Sequence, residues 1–314
     1  MVSSRLSRLP HQLSRDIEVA REITYAPSAA SRGGKFLVRA TENFTGRLGL
    51  IQRARGYDAD VAAGGDFWEI LARRYGAKLD VREGSLDAIP QSGPLIVVAN
   101  HPFGILDGMM MGYILSRVRR GDFRILANSV FHKAEDIQRI VLPISFDQTK
   151  EAMRLNLETR KQSLEYLGKG GAVGVFPGGT VSTSARPFGR PLDPAWRSFT
   201  AKMVAKSGAA VLPIYFEGTN SRLFQVASHL HPNLRMALLI NEFRRRVDSA
   251  VGVRVGALLP QSELDARAKD PRAMMGYLRA QTYALGDPSV GETLGYEFEN
   301  NHKTAEQLIE QRVY

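Results

Sequence analysis

The sequence predicts an α/β domain with a largely parallel central sheet flanked by helices, preceded by N-terminal amphipathic helices. Three observations carry that expectation. Short apolar runs recur at Leu95–Ala99, Phe123–Ala127, Ala172–Phe176, Ala210–Phe216 and Val251–Leu258, and read as strands. Between them, Asp107–Arg119, Gln148–Leu167, Asp193–Lys206 and Leu264–Leu285 have helical length and composition, and strand–helix alternation in this rhythm builds a parallel sheet. The chain has 314 residues, 44% hydrophobic and 24% charged, which is ordinary for a globular protein and enough for a sizeable core.

From the start of the chain, residues 1–34 are polar and basic, with an amphipathic patch around Ile17 to Ile23 that Ala26-Pro27-Ser28 and Arg32-Gly33-Gly34 interrupt. Residues 35–55 read as a basic amphipathic helix. Phe36, Ala40, Phe44, Leu48 and Ile51 recur at helical spacing among Lys35, Arg39, Arg47, Arg53 and Arg55. Gly46 and Gly49 weaken it as an isolated helix. Its apolar face either packs on the domain or lies in a membrane interface and lines a lipid entrance. Phe67 to Tyr75 reads as a further amphipathic helix. The expected organisation is therefore a basic helical region at 1–75, the α/β domain at 76–287 and a polar tail at 288–314.

There is no cysteine. Disulfides, thiolate metal sites, iron–sulfur clusters and a Cys nucleophile are thereby excluded. The first 15 residues hold no continuous apolar stretch of the secretory kind. Nowhere do about 18 apolar residues run together, so no transmembrane helix is expected. The net charge is +10 and the isoelectric point about 9.9. An anionic membrane surface or an acidic carrier protein suits that charge. No zinc-finger spacing, aromatic RNA-binding signature or basic zipper accompanies it, so no nucleic-acid partner is expected.

Three constellations carry candidate chemistry. In Val97-Val98-Ala99-Asn100-His101-Pro102-Phe103-Gly104-Ile105-Leu106-Asp107-Gly108, an apolar strand ends in a histidine, and an aspartate follows six positions later. On one continuous helix the two side chains would lie about 120° apart. A turn at Pro102 and Gly104, with a helix starting near Leu106, can return the Asp107 carboxylate to the imidazole. A histidine held by a carboxylate is a general base suited to neutral pH. The competing reading makes Asp107 a helix cap and His101 a turn residue. In Val175-Phe176-Pro177-Gly178-Gly179-Thr180-Val181-Ser182 a strand ends in a Gly-rich turn whose backbone N–H groups can face an anion or oxyanion, or simply form a turn. It matches neither the Walker loop nor the dinucleotide fingerprint. In Val211-Leu212-Pro213-Ile214-Tyr215-Phe216-Glu217-Gly218-Thr219-Asn220-Ser221, an apolar strand carries a proline, marking an edge, a bulge or a close ligand approach. Arg186, Arg190 and Arg222 lie in or near these loops, as anion binders or as solvated surface charges.

These three blocks, in this order and spacing, resemble the glycerolipid (lysophospholipid) acyltransferase family over about residues 85–260. The His101–Gly108 wording, the run Glu217-Gly218-Thr219-Asn220-Ser221-Arg222-Leu223-Phe224 and the late strand Val253-Arg254-Val255-Gly256 are most similar to its bacterial lyso-ornithine-lipid acyltransferase and haemolysin-like branch. Two departures stand out. Five residues, rather than four, separate His101 from Asp107, and Gly178 stands where the family's Phe-Pro-Glu-Gly block has its Glu. That block helps hold a glycerol-phosphate head group in the main family, so its loss leaves the acceptor head group open. The family's second-block arginine has Arg124, Lys133 and Arg139 as candidates.

The resemblance implies direct transfer of a fatty acyl group from acyl carrier protein or coenzyme A to the hydroxyl of a lysolipid, with no cofactor and no metal. His101 would be the general base and Asp107 its orienting carboxylate. Asn100, Phe176, Pro177, Gly178, Gly179 and Thr180 would serve the head group or the oxyanion, and Arg124, Lys133, Arg186, Arg190 and Arg222 an anion. The expected location is peripheral, on the cytoplasmic face of the inner membrane. Two alternatives remain at this stage: a non-catalytic lipid- or membrane-binding module on the same scaffold, and a serine-type lipid hydrolase. The absence of a Gly-x-Ser-x-Gly elbow weighs against the hydrolase.

Overall fold

A computed structural model describes residues 24–26, 29, 31–128, 138–145 and 149–297. The patch at Ile17 to Ile23 and Lys133 lie outside the described residues. In chain order the helical N-terminal region holds α1 (Arg32–Thr45), α2 (Arg47–Ala54), α3 (Tyr57–Ala62) and α4 (Phe67–Arg74). Then follow β1 (Lys78–Glu83), β2 (Leu95–Ala99), α5 (Ile105–Arg119), β3 (Phe123–Asn128), β4 (Val141–Ile144), α6 (Lys150–Gly168) and β5 (Ala172–Val175). The two-residue strands β6 (Thr183–Ser184) and β7 (Pro191–Leu192) come next, then α7 (Ser198–Ser207), β8 (Ala210–Phe216), α8 (Arg222–Leu230) and α9 (Pro232–Arg245). The fold closes with β9 (Ala250–Val255), α10 (Gln261–Ala266) and α11 (Pro271–Gly286).

Seven strands form one sheet in the order β1-β9-β8-β2-β5-β3-β4. Every neighbouring pair is parallel except β8 with β9. Leu95 of β2 pairs with Ala172 of β5 on one side and Ala210 of β8 on the other, so β2 lies centrally. Its side chains feed two cores. Leu95, Val97 and Ala99 pack with the α5 methionines and α9, whereas Ile96 and Val98 pack with α7, α11 and the end of α6. A strand buried on both faces has no need of polar alternation, which is why these runs are continuously apolar. The expected α/β architecture with a mostly parallel sheet is what the chain adopts.

Several boundaries differ from expectation for local reasons. Residues 35–55 form two helices, with the break at Gly46. Residues 193–197 are not helical, and α7 starts only at Ser198. The expected helix at 264–285 is two, because Asp270 caps a new helix that begins at Pro271. β9 ends at Val255 rather than Leu258.

The apolar stripe of α1 and α2 faces outward. Phe36 is 77% exposed, Phe44 94% and Leu48 61%. The face packed on the domain instead buries Val38, Glu42, Arg47 and Leu50. Glu42 is fully enclosed, and accepts from the Thr24 hydroxyl at 2.5 Å and the Tyr25 amide at 2.6 Å. Burial pushes its carboxyl above the usual range, against the pull of those two donors. The expectation that the stripe packs on the domain is therefore not met. Among the described residues, no helix is long and apolar enough to cross a membrane.

Candidate active site

Three parallel neighbours, β8, β2 and β5, end together at one edge of the sheet, where open α/β folds bind ligands. β2 delivers Asn100 and His101 there. The chain then turns through Pro102, Phe103 and Gly104 into α5. Gly104 has φ +92°, and a Cβ on it would lie 3.0 Å from Val181 Cγ2; a side chain there would be both strained and crowded. The turn makes Asp107 the third residue of α5, where the helix N-terminus favours an anion.

The Asp107 carboxylate is wholly buried. One oxygen accepts from the Phe103 amide at 2.8 Å and the other from the Gly108 amide at 3.1 Å. The second oxygen also faces His101 Nδ1 at 3.2 Å. The imidazole stacks on Phe176, with ring centres 4.3 Å apart, while its side chain keeps 18% exposure. Burial alone would lower the His101 pKa. The charge and contact of Asp107, with the charge of Asp193, outweigh it and hold the imidazole above its ordinary value. With Nδ1 turned to a carboxylate, Nε2 is the nitrogen left to accept a proton.

A second buried carboxylate completes the cluster. Asp193, just after β7, accepts from the His101 amide at 3.2 Å, the Ser182 hydroxyl at 2.5 Å and Trp196 Nε1 at 2.9 Å. Ser182 also donates its amide to the His101 carbonyl at 2.7 Å. The backbone at His101 is thus clasped from both sides. Burial pushes the Asp193 carboxyl up, opposed by these donors. A Cβ on Gly178 would lie 3.3 Å from the Asp193 carboxylate, so a side chain there would press on this acid.

The remaining residues singled out in the sequence divide clearly. Asn100 Nδ2 donates to the Phe216 carbonyl at 2.9 Å and Oδ1 accepts the Phe216 amide at 2.7 Å. Its side chain ties β2 to β8 and is engaged there. The Pro177 carbonyl accepts from the Arg197 amide, and the Gly179 amide closes the turn on the Phe176 carbonyl at 3.0 Å, so that amide is not an oxyanion donor. Thr180 Oγ1 accepts from Arg235 at 3.0 Å. Arg190 pairs with Asp287 at 2.5 Å. Arg186 is exposed, and with Arg190 it lines a shallow cavity beside β7. Arg124 lies near the start of β3, over the Tyr166 ring at 4.4 Å. β3 runs parallel to β5, so its start is at the edge opposite His101 and Arg124 does not reach the site. Arg139 is exposed. Arg222 lines a larger cavity at the end of β8.

Sequence reasoning missed Asp193, read as a helix start, and Arg235, which lies in α9. Arg235 is buried, and donates to Thr183 Oγ1 at 2.6 Å, Ser228 Oγ at 2.8 Å and the Val181 carbonyl at 2.8 Å. It also missed Tyr25, a buried phenol whose pKa is pushed up, by burial first and then by the charge of Asp107. The signal for Asp193 was a lone acid between Leu192 and Trp196 beside a proline; Tyr25 and Arg235 left none.

Two relatives are named lyso-glycine lipid O-acyltransferase. The one from Phocaeicola vulgatus is 24% identical over 73% of this chain and 80% of its own length. The one from Bacteroides thetaiotaomicron is 26% identical over 71% and 80%. Among solved structures, the 1-acyl-sn-glycerophosphate acyltransferase PlsC of Thermotoga maritima aligns with 86% of this chain and 98% of its own, at 16% identity and a TM-score of 0.40. The acyltransferase family model matches residues 64–290, well over half of the chain and the span that contains the whole cluster at His101, and the chain belongs to that family.

Proposed function

We propose that this acyltransferase moves a fatty acyl group from an acyl thioester, carried by acyl carrier protein or coenzyme A, to the hydroxyl of a lysolipid at a membrane surface. The observation that carries the reading is the imidazole of His101 facing the buried, backbone-fixed carboxylate of Asp107 at the carboxyl edge of the sheet. In this mechanism Nε2 takes the proton from the acceptor hydroxyl as its oxygen attacks the thioester carbonyl. Asp107 holds the Nδ1 proton and stabilises the imidazolium. The tetrahedral intermediate collapses by expelling the thiolate, which takes back the proton. The two relatives are named for O-acyl transfer to lyso-glycine lipid, and that supports an acceptor of the lyso-glycine or lyso-ornithine lipid class over lysophosphatidic acid.

The outward stripe of α1 and α2 supports docking to an anionic bilayer. Phe36, Phe44 and Leu48 are exposed beside Arg32 and Lys35. Such side chains contribute about 1.5–3 kcal/mol each when removed from water, and basic neighbours add attraction to anionic lipid. Phe36→Ser with Phe44→Ser should lower flotation with anionic liposomes; undiminished flotation would rule out this face.

The deciding experiment is acyl transfer by the wild type and His101→Ala against lyso-glycine lipid, lyso-ornithine lipid, lysophosphatidic acid and other lysophospholipids. Transfer that falls by at least about 10²-fold in the variant, with the fold intact, is expected for a general base. Full activity in His101→Ala would sink the mechanism.

A further inference from the structure

We infer that a cavity of about 470 Å³, lined by Arg222, Arg245 and Arg246, holds the phosphate-bearing end of the pantetheine thioester that delivers the acyl group. This rests on the acyltransferase reading above and extends it to where the donor lies. The cavity opens among Thr219, Asn220 and Ser221, directly after β8. Because β8 is the parallel neighbour of β2, this loop and the His101 turn leave the sheet at the same edge.

The lining chemistry selects an anion with several acceptor oxygens. The exposed Arg245 side chain makes no hydrogen bond or ion pair among the described residues. Arg222 commits one nitrogen, to the Phe188 carbonyl at 2.8 Å, and Arg246 one nitrogen, to the Thr219 carbonyl at 2.9 Å. Each guanidinium carries five N–H donors, so most of them are available to a ligand. The carboxylate that lines the cavity, Glu242, is already engaged by the Ser221 amide at 2.8 Å and hydroxyl at 2.5 Å. Fork-shaped guanidinium groups match phosphate oxygens in geometry as well as charge. The volume falls within the usual range for small-molecule sites, about 300–1,000 Å³.

The cavity wall is continuous with the catalytic turn. Arg246 stacks over the Phe103 ring at 4.7 Å, and Asn220 Nδ2 donates to the Phe103 carbonyl at 3.4 Å. The Phe103 amide is in turn a donor to Asp107. A pantetheine arm is long and places its phosphate well away from the thioester. A phosphate site set to one side of His101, rather than on it, suits that geometry. Coenzyme A and carrier protein share this phosphopantetheine group; a phosphorylated head group is the other source of the same chemistry.

The test uses the full chain with Arg222→Gln and Arg245→Gln together, both exposed positions. Calorimetric titration with coenzyme A should show binding weakened about tenfold or more, and titration with uncharged pantetheine should not change. In turnover the KM for acyl-CoA should rise while the KM for the lysolipid holds. Arg154→Gln with Lys169→Gln removes the same charge from the exposed surface around α6 and should leave coenzyme A affinity as it was. Unchanged coenzyme A affinity in the cavity variant would overturn the inference. A rise in lysolipid KM alone would also overturn it and assign the cavity to a head-group anion. The titrations need no turnover, so failure of the lysolipid reading would not be mistaken for failure of this one.

Discussion

Two turns meet at the carboxyl edge of the sheet, and they differ in what they present. The turn after β2 presents side chains: an imidazole with 18% exposure and a carboxylate with none. The turn after β5 presents little beyond Phe176. Its Gly179 amide closes on Phe176, Thr180 serves Arg235, and Ser182 clasps the backbone of His101. Both are Gly- and Pro-containing ends of apolar strands. The difference teaches that the first holds the imidazole–carboxylate pair and the second is the mould that sets it. Pair and mould should then fail differently when altered.

The largest effect belongs to the pair. Asp107→Asn keeps the size of the side chain but removes the charge that holds His101 above its ordinary pKa of about 6.5. A base must be neutral to accept a proton, so the wild-type rate should rise with pH and level off only above that value. In Asp107→Asn the imidazole pKa falls, and the acid limb of the pH–rate profile moves to lower pH. The plateau should drop by about 10²–10⁴-fold, because base strength and the fixed tautomer are both lost. An unmoved acid limb would show that Asp107 is only a helix cap.

Much of this pair was legible in the sequence, and the mould much less so. The His101–Asp107 spacing with Pro102 and Gly104 already required a turn before the helix, and β2, β5 and β8 declared themselves through apolar runs that two helix layers cover. β1 did not, because an edge strand carrying Lys78, Asp80, Arg82 and Glu83 has no buried residue and reads as loop. The helices α8 and α9 were hidden, since their buried faces carry Gln225, Ser228 and Arg235 among the apolar residues. Asp193 precedes Pro194, a pairing that also starts helices, and only tertiary contact with His101 reveals its place. The outward stripe of α1 was visible as amphipathicity, but which face meets the domain depended on Glu42 engaging Thr24 and Tyr25, a contact no periodicity records.

Gly104→Ala attacks the geometry that joins the two turns. A Cβ in this left-handed conformation, 3.0 Å from Val181 Cγ2, should cost about 1–3 kcal/mol in denaturant unfolding. Activity should fall with it as Asp107 is displaced. A variant of wild-type stability would mean that the turn relaxes freely. Asp193→Asn is subtler. It keeps acceptor capacity for the His101 amide and Ser182 but removes the second charge that raises the imidazole pKa. The acid limb should again move to lower pH, by less than in Asp107→Asn, with a smaller loss of plateau rate. A plateau loss as large as that of Asp107→Asn would make Asp193 part of the pair rather than of the mould.

The smallest effect is expected at the second turn itself. Thr180→Val removes one acceptor from Arg235, whose same nitrogen still donates to the Val181 carbonyl at 2.8 Å. The loss of one hydrogen bond whose donor keeps another partner should cost about 1 kcal/mol of stability. Since Thr180 lies in the mould, the position of the acid limb should stay where it is and the plateau should hold within about threefold, which at a factor of ten per ~1.4 kcal/mol is below 1 kcal/mol in the barrier. A loss of a hundredfold or more at full stability would contradict this division. The Thr180 hydroxyl would then be meeting the substrate directly, and the second turn would belong to the chemistry as fully as the first.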